Sequence, residues 1–488
     1  MFDQWARAMS QRLRPLRVFS LVAISMATAA GTVSAGPAAA ANFTRGFADS
    51  VWSWPDNVHQ TPRQWANAAR RAGARVVEVE VDWSAYQPNP PAGGYTTNPG
   101  SSAYSGWSSI DSTVKLLTRA HLQPMFMVTE APAWADLAGA AAQQSATEAY
   151  DPKPAALKAF MQALATRYDG RFRDPSKPHT FLPRVRYYQD WAEANTSIKL
   201  APQWTKSAGR WVNTGAGIYR NMLNAFYAGV KAAQPSDQVI FTGLESYGDA
   251  PTRAPYRVPP VTFLENVLCL NASLQKVCNN AAHFDVLASD PYDVGSPTTQ
   301  AFNADDASAP DLGKLLRVLN AGIRAGTALP ARPKQLWVTE FGYDSNPPNV
   351  DGGLPLATQA RWLEQALYVF WKEHVSTVLW YLIRDQPGVD YQDTYYSGIY
   401  FYNGTRKPSY TAYHFPLVVS ADGPHTQVWG MAPGNGTVLV QRQAGGSWST
   451  VLTFHGRAGQ VFSGYLPAGA RGNYRAVERG AASLIWKY

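Results

Sequence analysis

A chain of 488 residues is too long for one small core and suits one large domain with a smaller companion. Charged residues are 16% of the total and aromatics 12%, with 17 Trp, a composition that excludes a disordered chain and speaks against a nucleic-acid binder. The formal charge of +8 falls to +5 once the four Arg and one Asp before residue 42 are set aside, too mild a balance to call for a polyanionic partner.

The N-terminus reads as a secretory signal over residues 1–41. Basic residues up to Arg17 precede an apolar stretch, Val18–Ala30, followed by small residues through Val33-Ser34-Ala35 and Ala38–Ala41. Cleavage after Ala35 and cleavage after Ala41 both fit. The apolar run is shorter than the ~20 residues a membrane span needs, so a secreted protein with no stable membrane insertion after cleavage is expected. Cys269 and Cys278 lie close together, and an oxidising compartment favours joining them into a short loop worth about 2–3 kcal/mol.

Residues 42–416 alternate short apolar strands with amphipathic helical stretches. Strands are predicted at Phe43–Phe47, Val76–Asp82, Gln123–Thr129, Val185–Trp191, Gln238–Gly243, Asp285–Ser289, Gln335–Thr339 and Thr377–Tyr381. Helices are predicted at Pro62–Ala72, Ile110–Ala120, Ala155–Tyr168, Ile218–Ala233, Leu312–Ala325 and Ala357–Glu373. Eight strands with intervening helices, and no Gly-rich dinucleotide fingerprint opening any helix, predict an α/β fold, a (β/α)8 TIM barrel rather than an open doubly wound sheet. Residues 417–488 change to short strands separated by Gly-Asn, Gly-Gly and Pro-Ala-Gly turns, predicting a small all-β, sandwich-like domain. Its Trp429 and Trp448 either bind sugar or pack against the barrel, and packing is the expected role.

Two segments carry the chemistry: Trp191-Ala-Glu193-Ala-Asn195 and Leu336-Trp-Val-Thr-Glu340-Phe-Gly342. Each closes an apolar, β-prone run with a Glu, after the fourth and seventh predicted strands. A parallel barrel brings strand ends to one rim, where two carboxylates about 5–5.5 Å apart can serve as nucleophile and proton donor in retaining glycoside hydrolysis. The eight His are scattered without metal-binding spacing, so no metal and no cofactor are expected.

Trp-x-Glu-x-Asn after strand four, with Thr-Glu-Phe-Gly after strand seven, resembles the clan A glycoside hydrolases, closest to secreted family 39-like enzymes. Ala131-Pro-Ala-Trp134, Ala201-Pro-Gln-Trp204 and Pro291-Tyr292 extend the resemblance over the barrel. It implies Glu193 as acid/base, Glu340 as nucleophile, and Trp380 as an aromatic beneath the reacting sugar. Trp83, Trp134 and Tyr292 at predicted strand ends are further stacking candidates; Glu130, Asn195, Glu245, Asp344 and Asp385 are candidate ligands for sugar hydroxyls. The chain also departs from the clan pattern. Ala192 replaces an Asn that grips the sugar, Ala194 replaces a Pro, Glu78 stands where an Arg is common, and Asp290 stands where a His is common.

Strand two alternates Val77, Val79 and Val81 with Glu78, Glu80 and Asp82, so one face is acidic. If that face points inward it needs cations, and Arg45 or Arg186 is expected to supply one. The expected function is a secreted glycoside hydrolase acting on a polysaccharide or glycoconjugate by a two-Glu double displacement, with no nucleic-acid partner. The alternative is a barrel that binds glycan without cleaving it.

Overall fold

The computed structural model describes residues 43–55, 60–137, 147–249, 256–388 and 394–488. The leader expected over residues 1–41 lies outside them. Eight parallel strands close into a barrel in sequential order: β1 (Thr44–Ala48), β2 (Val76–Asp82), β3 (Gln123–Thr129), β4 (Tyr187–Asp190), β5 (Gln238–Ile240), β6 (Val286–Ser289), β7 (Gln335–Val338) and β8 (Val375–Tyr381). A helix follows each strand: α1 (Pro62–Ala72), α2 (Trp107–Arg119), α3 (Pro154–Arg167), α4 (Gly215–Ala233), α5 (Pro260–Val267), α6 (Leu312–Arg324), α7 (Leu356–Lys372) and α8 (Pro408–His414). This is the predicted (β/α)8 architecture. The sequence pattern misses α5 and α8, because helices of 8 and 7 residues show too few turns for an apolar period to emerge.

Local sequence explains the element ends. Thr61 caps α1, with Pro62 in the first turn and Gln64 closing a capping box, and Gly73 ends the helix at φ 108°. The barrel interior holds Ala48, Val76, Met125, Ile240, Val286, Ala288, Trp337 and Leu379, with Tyr187 and Tyr381 packed against them. A larger cluster fills the layer between strands and helices. Gly46 is required on β1 because a Cβ there would overlap the Val76 carbonyl of the neighbouring strand.

The C-terminal strands form two antiparallel sheets. One joins β9 (Leu417–Asp422), β10 (His425–Met431) and β13 (Val461–Leu466); the other joins β11 (Gly436–Ala444), β12 (Ser447–Gly456) and β14 (Asn473–Glu478), with two short end strands. Strand β9 escapes sequence detection because only Phe415 and Pro416 separate it from α8. Cys269 and Cys278 are joined in a disulfide, as the sequence suggests.

Trp429 is fully buried against Tyr368 and Trp371 of α7 and Phe43 at the barrel entrance, with ring centroids 5.7, 6.1 and 6.3 Å away. Its role is packing, and Trp448 is covered by the Arg475 guanidinium, 4.3 Å from the ring centroid. Among the described residues no helix is long and apolar enough to cross a membrane. Trp429→Ala removes a fully buried indole from this seam, so thermal or denaturant unfolding should show a loss of about 3–5 kcal/mol. A loss below about 1 kcal/mol would mean that the seam contributes little.

Candidate active site

The C-terminal mouth of the barrel holds a cavity of ≈ 680 Å³ lined by Glu78 and Glu80 of β2, Glu193 after β4, Glu245 after β5, Tyr292 after β6 and Glu340 after β7. Tyr381 of β8, Asp49, Lys199 and Tyr395 complete much of the wall. Strand alternation decides what reaches it. On β2, Val76 faces inward and Val77, Val79 and Val81 face the helices, so the intervening carboxylates point into the barrel.

Glu193 is aimed by an irregular strand end. Trp191 and Glu193 take left-handed backbone at φ 66° and 43°, uncommon for non-glycine residues and concentrated at functional sites. The turn is pinned by Glu193 N–H donating to the Gly243 carbonyl at 2.8 Å and Ala194 N–H donating to Thr242 Oγ1 at 3.1 Å. Glu340 follows Thr339, whose hydroxyl donates to Asp290 Oδ1 at 2.7 Å. A side chain at Gly243 would strike the Asp290 carboxylate, so that glycine permits the close approach. Glu193, Asp290 and Glu340 each bring a carboxylate oxygen within 4.8 Å of the others. These are hard oxygen donors of the kind Ca²⁺ or Mg²⁺ prefers, without a histidine.

Crowding sets the electrostatics. Burial pushes Glu193 well above the usual carboxylate range, and the charges of Glu245, Glu340 and Asp290 push it further. Burial also raises Glu340, but the Lys199 ammonium and a hydrogen bond from Tyr292 pull it back, leaving it at about 7. Two carboxyls in one cavity are thereby separated into a stronger and a weaker acid, the pattern of paired acid and nucleophile sites. Glu78 is held well above its ordinary value by burial first and by Glu340, Glu80, Asp290 and Asp49 next.

Neither expected arginine serves these acids. Arg45 faces outward on β1, donating to the Tyr413 carbonyl and lying 5.0 Å from the centroid of its ring. Arg186 precedes β4 at the far end of the barrel and acts on Asp237. Among the described residues that line the cavity the cation is Lys199, six residues past Glu193, whose ammonium is paired with Glu148. The Thr196 N–H to Glu193 carbonyl bond, 2.9 Å, and the Leu200 N–H to Thr196 carbonyl bond, 3.0 Å, fold this loop back over the mouth. No sequence period marks Lys199.

The other candidates divide. Tyr292 and Glu245 line the cavity. Trp380 does not: it is fully buried behind β8, its indole N–H donating to the Ser397 carbonyl at 2.8 Å, and Tyr381 holds the inward face. One residue of register separates the two faces of a strand. Tyr381 meets Tyr395 edge-on at 5.3 Å, an aromatic pair the sequence reading overlooked. Asn195 is fully buried and spends its amide on Glu245 and Val258 backbone groups. Trp83 is buried edge-on to Trp134, and both indoles donate to Gln87. Asp385 is buried in an ion pair with Lys407 at 2.6 Å. Asp344 accepts from Asn349 and from the Tyr396 backbone. Glu130, raised to about 7 by burial and then Glu148 and Asp82, stands beside the cavity rather than on its wall.

Lys199→Met removes a cation whose field favours the Glu340 anion, so the Glu340 carboxyl should titrate higher than about 7. Carboxyl-carbon NMR, assigned with Glu340→Gln, reads the change. An unchanged midpoint would remove Lys199 from the electrostatic account.

No protein-family model matches the chain, and neither does any curated protein. Among solved structures, a family 39 glycoside hydrolase from Bacteroides cellulosilyticus WH2 is 14% identical over 87% of this chain and 80% of its own, with a TM-score of 0.52. A glucosidase from Croceicoccus marinus is 11% identical over 88% of this chain and 94% of its own, at a TM-score of 0.49. At such identities the likeness is one of backbone architecture: the chain carries a (β/α)8 barrel, the fold it shares with that family 39 enzyme.

Proposed function

We propose that this chain is an exported glycoside hydrolase that acts on a polysaccharide or glycoconjugate by double displacement, with Glu340 as nucleophile and Glu193 as acid/base. The observation that carries this reading is the pair of carboxylates within 4.8 Å of each other in one cavity, one easier to ionise than the other. Glu340, steadied by Tyr292 and biased toward its anion by Lys199, attacks the anomeric carbon as Glu193 protonates the departing oxygen. Water then releases the sugar from Glu340, and Glu193 takes the proton from that water. Tyr381 and Tyr395 offer ring faces to sugar C–H groups.

The Ala192 side chain in the cavity wall favours a second reading, a barrel that binds glycan without cleaving it, since it lacks an amide to grip the sugar. Release of reducing sugar from a broad glycan panel separates the two. Glu340→Gln should abolish release, and Glu193→Ala should slow it about 10²–10⁴-fold on substrates with poor leaving groups. A 2-deoxy-2-fluoro glycoside should add one sugar mass to Glu340. Equal, negligible release by the wild type and Glu340→Gln favours the binder.

The pH dependence has a definite sign. The nucleophile must be ionised, and Glu340 titrates at about 7, so activity should fall as pH drops below about 7. An acidic limb below pH ~5 would mean that the nucleophile keeps an ordinary carboxyl value of ~4.3, against the upward push of burial on Glu340. Activity should also survive dialysis against EDTA; its loss, with recovery on adding Ca²⁺ or Mg²⁺, would give the carboxylate trio to a metal ion.

A further inference from the structure

Glu245 has no part in the two-carboxylate scheme, yet it reaches the same cavity from the end of β5. Its backbone is fixed from both sides. Glu245 N–H donates to Asn195 Oδ1 at 3.0 Å, Asn195 Nδ2 donates to the Glu245 carbonyl at 3.1 Å, and Glu245 bridges to Asp290. Its side chain lies between Glu193, to which it is hydrogen-bonded, and Arg257, whose Nη1 is 3.2 Å from Glu245 Oε1. Arg257 is braced in turn by Asp249, 3.1 Å from Nη2.

We propose that Glu245 is a positioning residue that keeps Glu193 loaded with its proton: the two carboxyls share one proton, carried on Glu193 and donated to a Glu245 anion held by Arg257. The inference rests on the glycosidase reading of the site. The direction of the hydrogen bond follows from the flanking charges. Arg257 stabilises the anion on Glu245, whereas Glu193 faces the negative charges of Glu245, Glu340 and Asp290. Lys199 also acts on Glu193 and Glu340. Asp290, Glu340 and Tyr247 all feel the Glu245 charge.

The consequence lies in the proton cycle. In the first step the O–H bond of Glu193 breaks, its proton joins the glycosidic oxygen, and the C–O electron pair leaves with that oxygen as Glu340 bonds to the anomeric carbon. Glu193 is then an anion beside a second anion, which makes it a stronger base. In the second step it takes a proton from the attacking water, and the shared hydrogen bond is restored. Glu245 exchanges no bond with the reacting atoms; it sets the pH range over which Glu193 stays protonated.

The test is the pH profile of Glu245→Gln. Replacing the neighbouring anion by an amide should move the alkaline limb of kcat/KM toward acid by about one pH unit, a roughly tenfold relative loss on that limb. Dinitrophenyl glycosides, whose leaving group needs no proton, should be little affected. A uniform loss at every pH with an unmoved limb would overturn the proposal, since that is what a merely structural role produces. Carboxyl-carbon NMR of glutamate-labelled protein gives a readout independent of turnover: the Glu193 midpoint, assigned with Glu193→Gln, should fall in Glu245→Gln. If that variant does not fold, Arg257→Met should let Glu245 compete for the shared proton and so lower the Glu193 midpoint, and no movement would refute the shared proton. A wild type that hydrolyses no glycan while the coupled titration persists would defeat the glycosidase reading alone.

Discussion

Carboxylate crowding at the barrel mouth governs this site. Glu78, Glu80, Glu193, Glu245 and Glu340 share a cavity whose described lining includes one cation, Lys199. Like charges at a few ångströms in a poorly solvated space cannot all be ionised at neutral pH, so protons must be distributed among them. Lys199, Arg257 and Tyr292 decide the distribution. The first and last favour an anion on Glu340, and Arg257 favours one on Glu245. Glu193 and Glu78 are pushed toward their protonated forms by burial first and by neighbouring carboxylates next.

The barrel makes this crowding possible by fixing the strand ends independently of one another. Glu78 and Glu80 share β2, whereas Glu193, Glu245 and Glu340 each follow a different strand, and the hydrogen bonds that aim these strand ends run to neighbouring strands: Glu193 to the Gly243 carbonyl, Thr339 to Asp290, Asn195 to Glu245. The left-handed turns at Trp191 and Glu193 are sustained by this surrounding network. Polar side chains such as Asn195 and Asp385, which the sequence offers as sugar ligands, are instead consumed in holding the frame. The outer wall contributes rigidity: α7 is clamped between barrel and C-terminal sheets, with Trp429 against its aromatic face and Arg361 over the Trp486 ring.

The sequence by itself determined the architecture and singled out Glu193 and Glu340, two carboxylates that the barrel brings into one cavity. Val-rich strands at regular spacing, helices with amphipathic faces, and a Glu closing strands four and seven are local signals, and local signals survive in one dimension. The same logic reads β2 correctly, because period-two alternation makes its acidic face visible before any coordinates. It misses α5, α8 and β9, where elements are too short or too closely joined to display a period.

Only the tertiary structure decided which side chains share the cavity. Trp380 and Tyr381 are adjacent in sequence, and the pleat of β8 alone sends one behind the wall and the other into the site. The cation that shares the cavity with the acids could not be found by strand order, since Arg45 points outward and Lys199 arrives on a loop that folds back through hydrogen bonds of its own. Glu245 acquires significance through its contacts with Glu193 and Arg257, residues 52 and 12 positions away, respectively. Periodicity records what a residue does within its own element; ionisation is set by charges that meet across elements, and that meeting exists only once the barrel has closed.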